Sequence, residues 1–170
     1  VDILWEKGPR NRLARPDSRD YGRPIGEGQW AKRGRTMKAV PRTGMVGRST
    51  FLVDESKRIS FVDEKMPAVL ATPWLVAHLE YTARDAIAAC LDPNERSVGT
   101  FLEVEHLAPT PEGMAVHCSA RVIHVDGPVV TFQVDARDEV EPIAKGLHKR
   151  RIIDTTRFAK RVARKKAPKG

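Results

Sequence analysis

The chain of 170 residues has little of what marks membrane, secreted or metal-binding proteins. No apolar run approaches the roughly 18 residues that a membrane-spanning helix needs, and the opening segment VDILWEKGPRNR lacks the charged-then-apolar order of a secretion signal. The two cysteines, Cys90 and Cys118, have no metal-ligand spacing and lie among apolar residues, which is typical of buried free thiols. We therefore expect a reduced, soluble, cytoplasmic protein without a metal site.

Basic residues outnumber acidic residues at the two ends of the chain. Residues 1–36 contain nine Lys or Arg and five Asp or Glu, and residues 155–170 contain seven Lys or Arg and no acidic residue. Because the net charge of the whole chain is +8, residues 37–154 carry a net charge of −3. A folded surface built to bind nucleic acid would be basic, so we expect any nucleic-acid contact to be weak and limited to the tails.

The same division predicts three parts. Residues 1–36 are rich in Arg, Gly and Pro and have no hydrophobic period, which predicts a disordered extension. Residues 37–154 contain the apolar periodicities of one folded domain, and a chain of this length and 41% apolar content can bury a core. Residues 155–170 are predicted to form a flexible basic tail that could begin as a short helix.

The middle part predicts an α+β fold with one long helix. Its spacing of apolar residues predicts the helix over residues 73–90. Two short strand-like runs precede the helix, RSTFLVDE and RISFVDE, and four follow it, GTFLEVEHLA, MAVHCSARVIHV, PVVTFQVDARDE and AKGLHKRRIID. Asp126–Gly127 separates two of these runs and predicts a hairpin. This order suits an antiparallel sheet wrapped around a central helix.

A carboxylate interrupts the apolar face of the predicted helix. The apolar stripe consists of Val76, Leu79, Ala83 and Ile87. Glu80 lies on the same stripe, and burying an unpaired carboxylate is costly. Either Glu80 lies at the edge of the stripe, where it reaches water or pairs with Arg84 one turn later, or it borders a site that uses its charge.

Thr72 is a second candidate, although its setting has an ordinary explanation. It precedes Pro73, an arrangement typical of a helix N-cap. At 1.5 Å per residue, Thr72 lies roughly 12 Å along the helix from Glu80. The two side chains would therefore meet only through a substrate, a neighbouring segment or a second chain.

The strand FLEVEH places a third candidate on its inner face. Leu102, Val104 and His106 share one face in a period of two, and Glu103 and Glu105 share the other. Two glutamates mark the solvent face, so His106 is predicted to point inward. Most such histidines are core residues, yet an inward imidazole together with an inward carboxylate suits general acid–base chemistry. The other four histidines show no paired spacing and are predicted to be structural.

Several motifs occur together in the run ATPWLVAHLEYTARDAIAACLDPNERSVGTFLEVEHLAPTPEG, which continues through GLHKRRIID. They are a Thr, a Glu eight residues later, an S-x-G-T segment, a strand ending in His and the sequence TP-x-G. With this set at this spacing, residues 44–165 resemble the fluoroacetyl-CoA thioesterase family of hot-dog-fold proteins. The resemblance implies a long helix wrapped by an antiparallel sheet, a homodimer or a tetramer built from it, and active sites at the dimer interface. It also implies hydrolysis of an acyl-CoA thioester without a cofactor, coenzyme A being part of the substrate.

The resemblance further implies roles for individual residues. The positions that match the catalytic Thr, Glu and His of the family are Thr72, Glu80 and His106. Gly99, in the S-x-G-T segment, matches a residue that lines the acyl site. Arg150, in GLHKR, matches an arginine that contacts the substrate, and here we expect it at the phosphates of coenzyme A.

One departure and two alternatives accompany this resemblance. The segment SFVDEKMPAVLAT is shorter than the lid of the fluoroacetyl-specific member and has one aromatic residue, Phe61, so the expected substrate is a small or medium acyl-CoA. A non-catalytic hot-dog module that binds acyl-CoA or serves as a structural dimer is an alternative, with Glu80 and His106 as a buried hydrogen-bonded pair. In the second alternative, the basic tail RFAKRVARKKAPKG contacts nucleic acid or a partner. The tail has the charge for this contact but only one aromatic residue, Phe158, on which a base could stack.

Overall fold

The computed structural model describes residues 39–166. It contains two α-helices and five β-strands, which are β1 (Val46–Leu52), α1 (Thr72–Ala86), β2 (Glu95–His106), β3 (Ala115–Asp126), β4 (Val129–Arg137), β5 (Pro142–Asp154) and α2 (Thr155–Lys166). The predicted extension over residues 1–36 lies outside the described residues, as do the last four residues of the predicted basic tail.

The five strands form one antiparallel sheet in the order β1-β3-β4-β5-β2. The predicted hairpin joins β3 to β4, but its turn lies one residue later than predicted. Asp126 is the last residue of β3 and pairs with Val129, so the two turn residues are Gly127 and Pro128, and Gly127 has a positive φ of 53°, which glycine adopts readily. Strands β1 and β2 lie at the two edges of the sheet. One edge strand, β2, is therefore 12 residues long, and the other, β1, is 7 residues long.

Helix α1 lies against the sheet and contacts all five strands. Its buried side chains are Leu75, Leu79, Thr82 and Ala83, and Ile87 directly after the helix is also buried. The sheet contributes alternate residues to the same core, such as Val130, Phe132, Val134 and Ala136 of β4. This arrangement of one long helix against an antiparallel sheet agrees with the predicted α+β fold.

Three predictions differ most from the structure. The run RISFVDE is not a strand, because Ile59 donates a backbone hydrogen bond to Val69 and the segment folds back on itself, with one isolated bridge at its base. Helix α1 ends at Ala86, and residues Ala88–Cys90 form a separate 3₁₀ turn. Strand β2 begins at Glu95, four residues before the predicted start, because its pairing with β5 extends to the end of that strand.

The beginning of the basic tail is the helix α2. The Asp154 carboxylate accepts a hydrogen bond from the backbone N–H of Arg157 at 2.8 Å, and the backbone N–H of Thr155 donates to the Asn94 carbonyl at 2.9 Å. The side chains beyond Thr155 are exposed, including Phe158 and Val162. Both cysteines are buried free thiols, as predicted, and burial raises the pKa of Cys118 to about 12. Among the described residues, no helix has both the length and the apolar content to span a bilayer.

Candidate active site

Thr72 and His106 lie side by side, where α1 begins and β2 ends. The Thr72 Oγ1 atom is 2.9 Å from Nδ1 of His106, a hydrogen-bond distance. The sequence suggested that Thr72 caps the helix, but the N-cap is Ala71 and Thr72 is the first helical residue. Because its hydroxyl is not used as a cap, it can bond to the imidazole instead.

His106 points inward, as the alternation along β2 predicts. Leu102, Val104 and His106 are half-buried, whereas Glu103 and Glu105 are exposed. The Nε2 atom of His106 is buried and has no hydrogen-bond partner among the described residues. Burial lowers the pKa of His106, so the imidazole is neutral near pH 7. A neutral imidazole with one unoccupied nitrogen can exchange a proton with a bound reactant.

Glu80 lies on the flank of α1 that faces β2 and β5. Its side chain is 37% exposed, so it borders the core without being enclosed in it. The Oε1 atom lies 3.5 Å from Nε2 of His148 and 3.8 Å from Nη1 of Arg150. The alternative pairing of Glu80 with Arg84 does not form, because the Arg84 guanidinium pairs with the neighbouring Asp85 at 2.8 Å.

Gly99 provides the space that the Glu80 carboxylate occupies. A Cβ atom built on Gly99 would lie 2.2 Å from Oε1 of Glu80 and 3.2 Å from Cε1 of His148. Only glycine allows the carboxylate to approach the backbone of β2 so closely. The predicted acyl-site glycine thus lies against the predicted catalytic carboxylate.

Arg150 is buried in the same cluster, with a side chain only 7% exposed. Its Nε atom donates to Oγ of Ser97 at 3.0 Å, its Nη2 atom to the Ser97 carbonyl at 2.9 Å and its Nη1 atom to the Glu80 carbonyl at 3.2 Å. We expected this guanidinium to reach the phosphates of a substrate. Its donors are instead engaged inside the domain, beside the carboxylate of Glu80.

His148 belongs to the cluster, although the absence of paired histidine spacing in the sequence predicts a structural role for it. It is fully buried, and its ring lies between Glu80 and the Phe101 carbonyl. The signal that could have identified it is the alternation in HKRR, where His148 and Arg150 share the buried face of β5 while Lys149 and Arg151 are exposed.

The candidate residues therefore form two clusters in one protomer. Thr72 and His106 form the first, and Glu80, Gly99 and Arg150 form the second, together with Ser97 and His148. The clusters are separated by two turns of α1, or about 12 Å. The imidazole next to Glu80 is that of His148, so the expected contact of Glu80 with His106 does not form among the described residues. These residues also include no group of three or more His, Cys, Asp or Glu that could hold a metal ion.

Known proteins resemble this chain in sequence and in structure. A family model described as FlK, fluoroacetyl-CoA-specific thioesterase, matches residues 53–156. A Streptantibioticus cattleyicolor protein named fluoroacetyl-CoA thioesterase is 37% identical over 106 residues, which are 62% of this chain and 76% of that protein. A solved structure of the fluoroacetyl-CoA thioesterase FlK is 32% identical, with a TM-score of 0.68, and the match covers 76% of this chain and 99% of that chain.

A hot-dog-like protein from Thermanaerovibrio acidaminovorans has the same fold. It is 25% identical, with a TM-score of 0.69, and the match covers 75% of this chain and 94% of that one. This likeness confirms the predicted hot-dog fold, in which the sheet curls around α1.

Proposed function

Because the chain belongs to the FlK family of fluoroacetyl-CoA-specific thioesterases, it is a thioester hydrolase, and we propose that it cleaves small or medium acyl-CoA molecules. The products are the free acid and coenzyme A. One observation supports the assignment of the chemistry to named residues. The Thr72 hydroxyl bonds to His106, whose other ring nitrogen is buried and has no partner among the described residues.

The proposed reaction needs a base, a proton donor and a group that stabilises negative charge. Glu80 takes a proton from water as the water oxygen bonds to the thioester carbonyl carbon, or it attacks that carbon itself. The C–S bond then breaks, and His106 relays the proton of the water to the departing thiolate, accepting it at Nε2 as it gives it up. If Glu80 itself attacks, the mixed anhydride that forms is opened by water, which restores the carboxylate and supplies the proton that His106 relays. Thr72 orients His106, and backbone N–H groups near Gly99 or at the start of α1 stabilise the oxyanion.

The separation of the two clusters supports a dimer in which each site uses residues from both protomers. Strand β2 is a 12-residue edge, and unpaired edges readily pair with another chain. If two β2 strands paired antiparallel about a two-fold axis between Leu102 and Glu103, Gly99 of one protomer would lie opposite His106 of the partner subunit. Glu80, which lies over Gly99, would then share a site with the Thr72 and His106 pair of that subunit.

A thiol-release assay tests the proposed function. The full chain is incubated with acyl-CoA substrates of increasing chain length, fluoroacetyl-CoA included, and free coenzyme A is measured. We expect release from short and medium substrates and a loss of roughly a hundredfold or more in kcat for Glu80→Gln, with the fold intact by circular dichroism. Glu139→Gln, in an exposed turn, is the matched control.

Two outcomes would contradict the proposal. Full activity of Glu80→Gln would remove this carboxylate from the chemistry. Binding of acyl-CoA without release of thiol would instead support the non-catalytic alternative, a binding module or structural dimer.

The compartment, the cofactor requirement and the further contacts of the enzyme complete the proposal. Two buried free thiols fit a reducing compartment, and we place the enzyme in the cytoplasm. It uses no resident cofactor, since the proposed steps need only protein side chains and water. The basic residues of α2 allow weak, salt-dependent contact with nucleic acid or an acidic partner, separate from the hydrolysis.

A further inference from the structure

A buried histidine in the Glu80 cluster has no role in the reaction described above. His148 is fully buried, and its Nδ1 atom lies 2.7 Å from the Phe101 carbonyl. A carbonyl oxygen can only accept a hydrogen bond, so Nδ1 carries the proton and donates it. The Nε2 atom on the other side of the ring is therefore an acceptor in the neutral imidazole.

The partner of that acceptor is a cation. Nη1 of Arg150 lies 3.2 Å from Nε2 of His148, and a guanidinium can only donate. Burial lowers the pKa of His148, and the nearby positive charge of Arg150 lowers it further. The ring is thus neutral, and its 3.5 Å approach to Glu80 is not an ion pair between two charged groups.

The same Nη1 group lies between the imidazole and the carboxylate. Besides its contact with Nε2, it donates to the Glu80 backbone carbonyl at 3.2 Å and lies 3.8 Å from Oε1. Ser97 fixes the rest of the guanidinium through its hydroxyl and its carbonyl. The position of Nη1 is therefore determined by β5 through His148, by β2 through Ser97 and by α1 through the Glu80 backbone.

We propose that His148 is a positioning residue for the reaction, which it serves by holding the Arg150 guanidinium against the Glu80 carboxylate. This inference rests on the proposed function, because it assumes that Glu80 is the reacting carboxylate. The guanidinium lies on the inner side of the carboxylate, 3.8 Å from Oε1, and Gly99 leaves that carboxylate room against β2. The outer part of the side chain remains open to a substrate. His148 itself exchanges no proton with the substrate, since both of its ring nitrogens are engaged.

Two variants distinguish the roles of the two ring nitrogens of His148. His148→Asn keeps a donor near the position of Nδ1 and removes the acceptor at Nε2, whereas His148→Gln places an amide oxygen near Nε2. We expect His148→Asn to lower kcat about 10- to 100-fold with little change in KM, because a misplaced catalytic group costs about that much. His148→Gln should retain more of kcat. His124→Asn, at an exposed position of β3, is the control.

The melting temperature of each variant distinguishes positioning from a structural role. A merely structural histidine would give equal kcat per folded molecule in both variants, with losses that follow stability. If His148→Asn fails to fold, Ser97→Ala decides, because it removes one contact of the guanidinium; we expect a several-fold fall in kcat at unchanged KM. Wild-type kcat in folded His148→Asn, or in Ser97→Ala where His148→Asn does not fold, would overturn the inference. Failure of the wild type to release thiol would instead overturn the proposed function.

Discussion

A side chain at Gly99 would compete directly with the Glu80 carboxylate for space. The Cβ atom of Gly99→Ala would lie 2.2 Å from Oε1, far inside van der Waals contact, so the carboxylate would have to move away from β2. We expect kcat to fall about a hundredfold, since displacement of a reacting group by about 1 Å costs that much. Steady-state kinetics on the preferred acyl-CoA measures the effect.

The neighbouring Thr100→Ala is the matched control for that substitution. Its side chain is exposed, and its hydroxyl donates to the Lys149 carbonyl at 3.2 Å. If Gly99→Ala and Thr100→Ala have the same kcat, the close approach of Gly99 to Glu80 has no catalytic consequence.

Single residues were predictable where a local pattern fixes their direction. His106 could be placed on the inner face because glutamates alternate with it along β2. Thr before Pro predicts a cap at Thr72 beside its role as a site candidate, whereas the structure starts the helix one residue earlier, with Ala71 as the N-cap. The position of Arg150 depends on contacts with Ser97 and Glu80, which are 53 and 70 residues away in sequence, and no local pattern encodes such contacts.

Elements were predictable where turn chemistry is strong. The Asp-Gly pair predicted the β3–β4 hairpin because glycine readily adopts the positive φ that such turns need, although the two turn residues are Gly127 and Pro128. The run RISFVDE has the composition of a strand but no partner strand. Its Ile59 N–H donates to the Val69 carbonyl, and the Ala71 N–H donates to the Lys57 carbonyl, so the segment bonds within its own loop. Strand propensity alone does not determine pairing.

Pairing of β2 strands across a dimer predicts that Glu80 and His106 of each active site come from different protomers. Glu80→Gln and His106→Ala homodimers should both be nearly inactive. Mixed, they form heterodimers in which one site has both substitutions and the other has neither. With random exchange of protomers, we expect recovery of about a quarter of wild-type activity. The measurement is thiol release after the two variants are mixed under conditions that allow exchange, with size-exclusion light scattering to confirm the dimer.

The control for this experiment is each variant mixed with a second preparation of itself, which should stay inactive. If Glu80 and His106 acted within one protomer, every site in the heterodimer would contain one substitution. The absence of recovery in a mixture that has exchanged its protomers would therefore contradict the shared site.

At the scale of the whole molecule, three half-buried or buried histidines link stability to pH. Burial lowers the pKa of His78, of His106 and of His148 below the ordinary value of 6.5. The unfolded chain therefore binds protons at a higher pH than the folded chain does. Above about pH 7.5 neither state is protonated at these rings and they leave stability unchanged, whereas below about pH 6.5 protonation favours the unfolded chain.

We expect the free energy of unfolding to fall between pH 7.5 and pH 5.5, by at most about 1.4 kcal/mol per pH unit for each histidine. Asp54, whose pKa is lowered from 3.8 to about 2 chiefly by its hydrogen bond with Lys57, affects stability only at more acid pH, so it does not contribute in this window. Urea denaturation at fixed protein concentration measures the change. His148→Asn should flatten the pH dependence and His124→Asn should keep it. Equal slopes for the two variants would mean that proton uptake by His148 does not limit stability below pH 6.5.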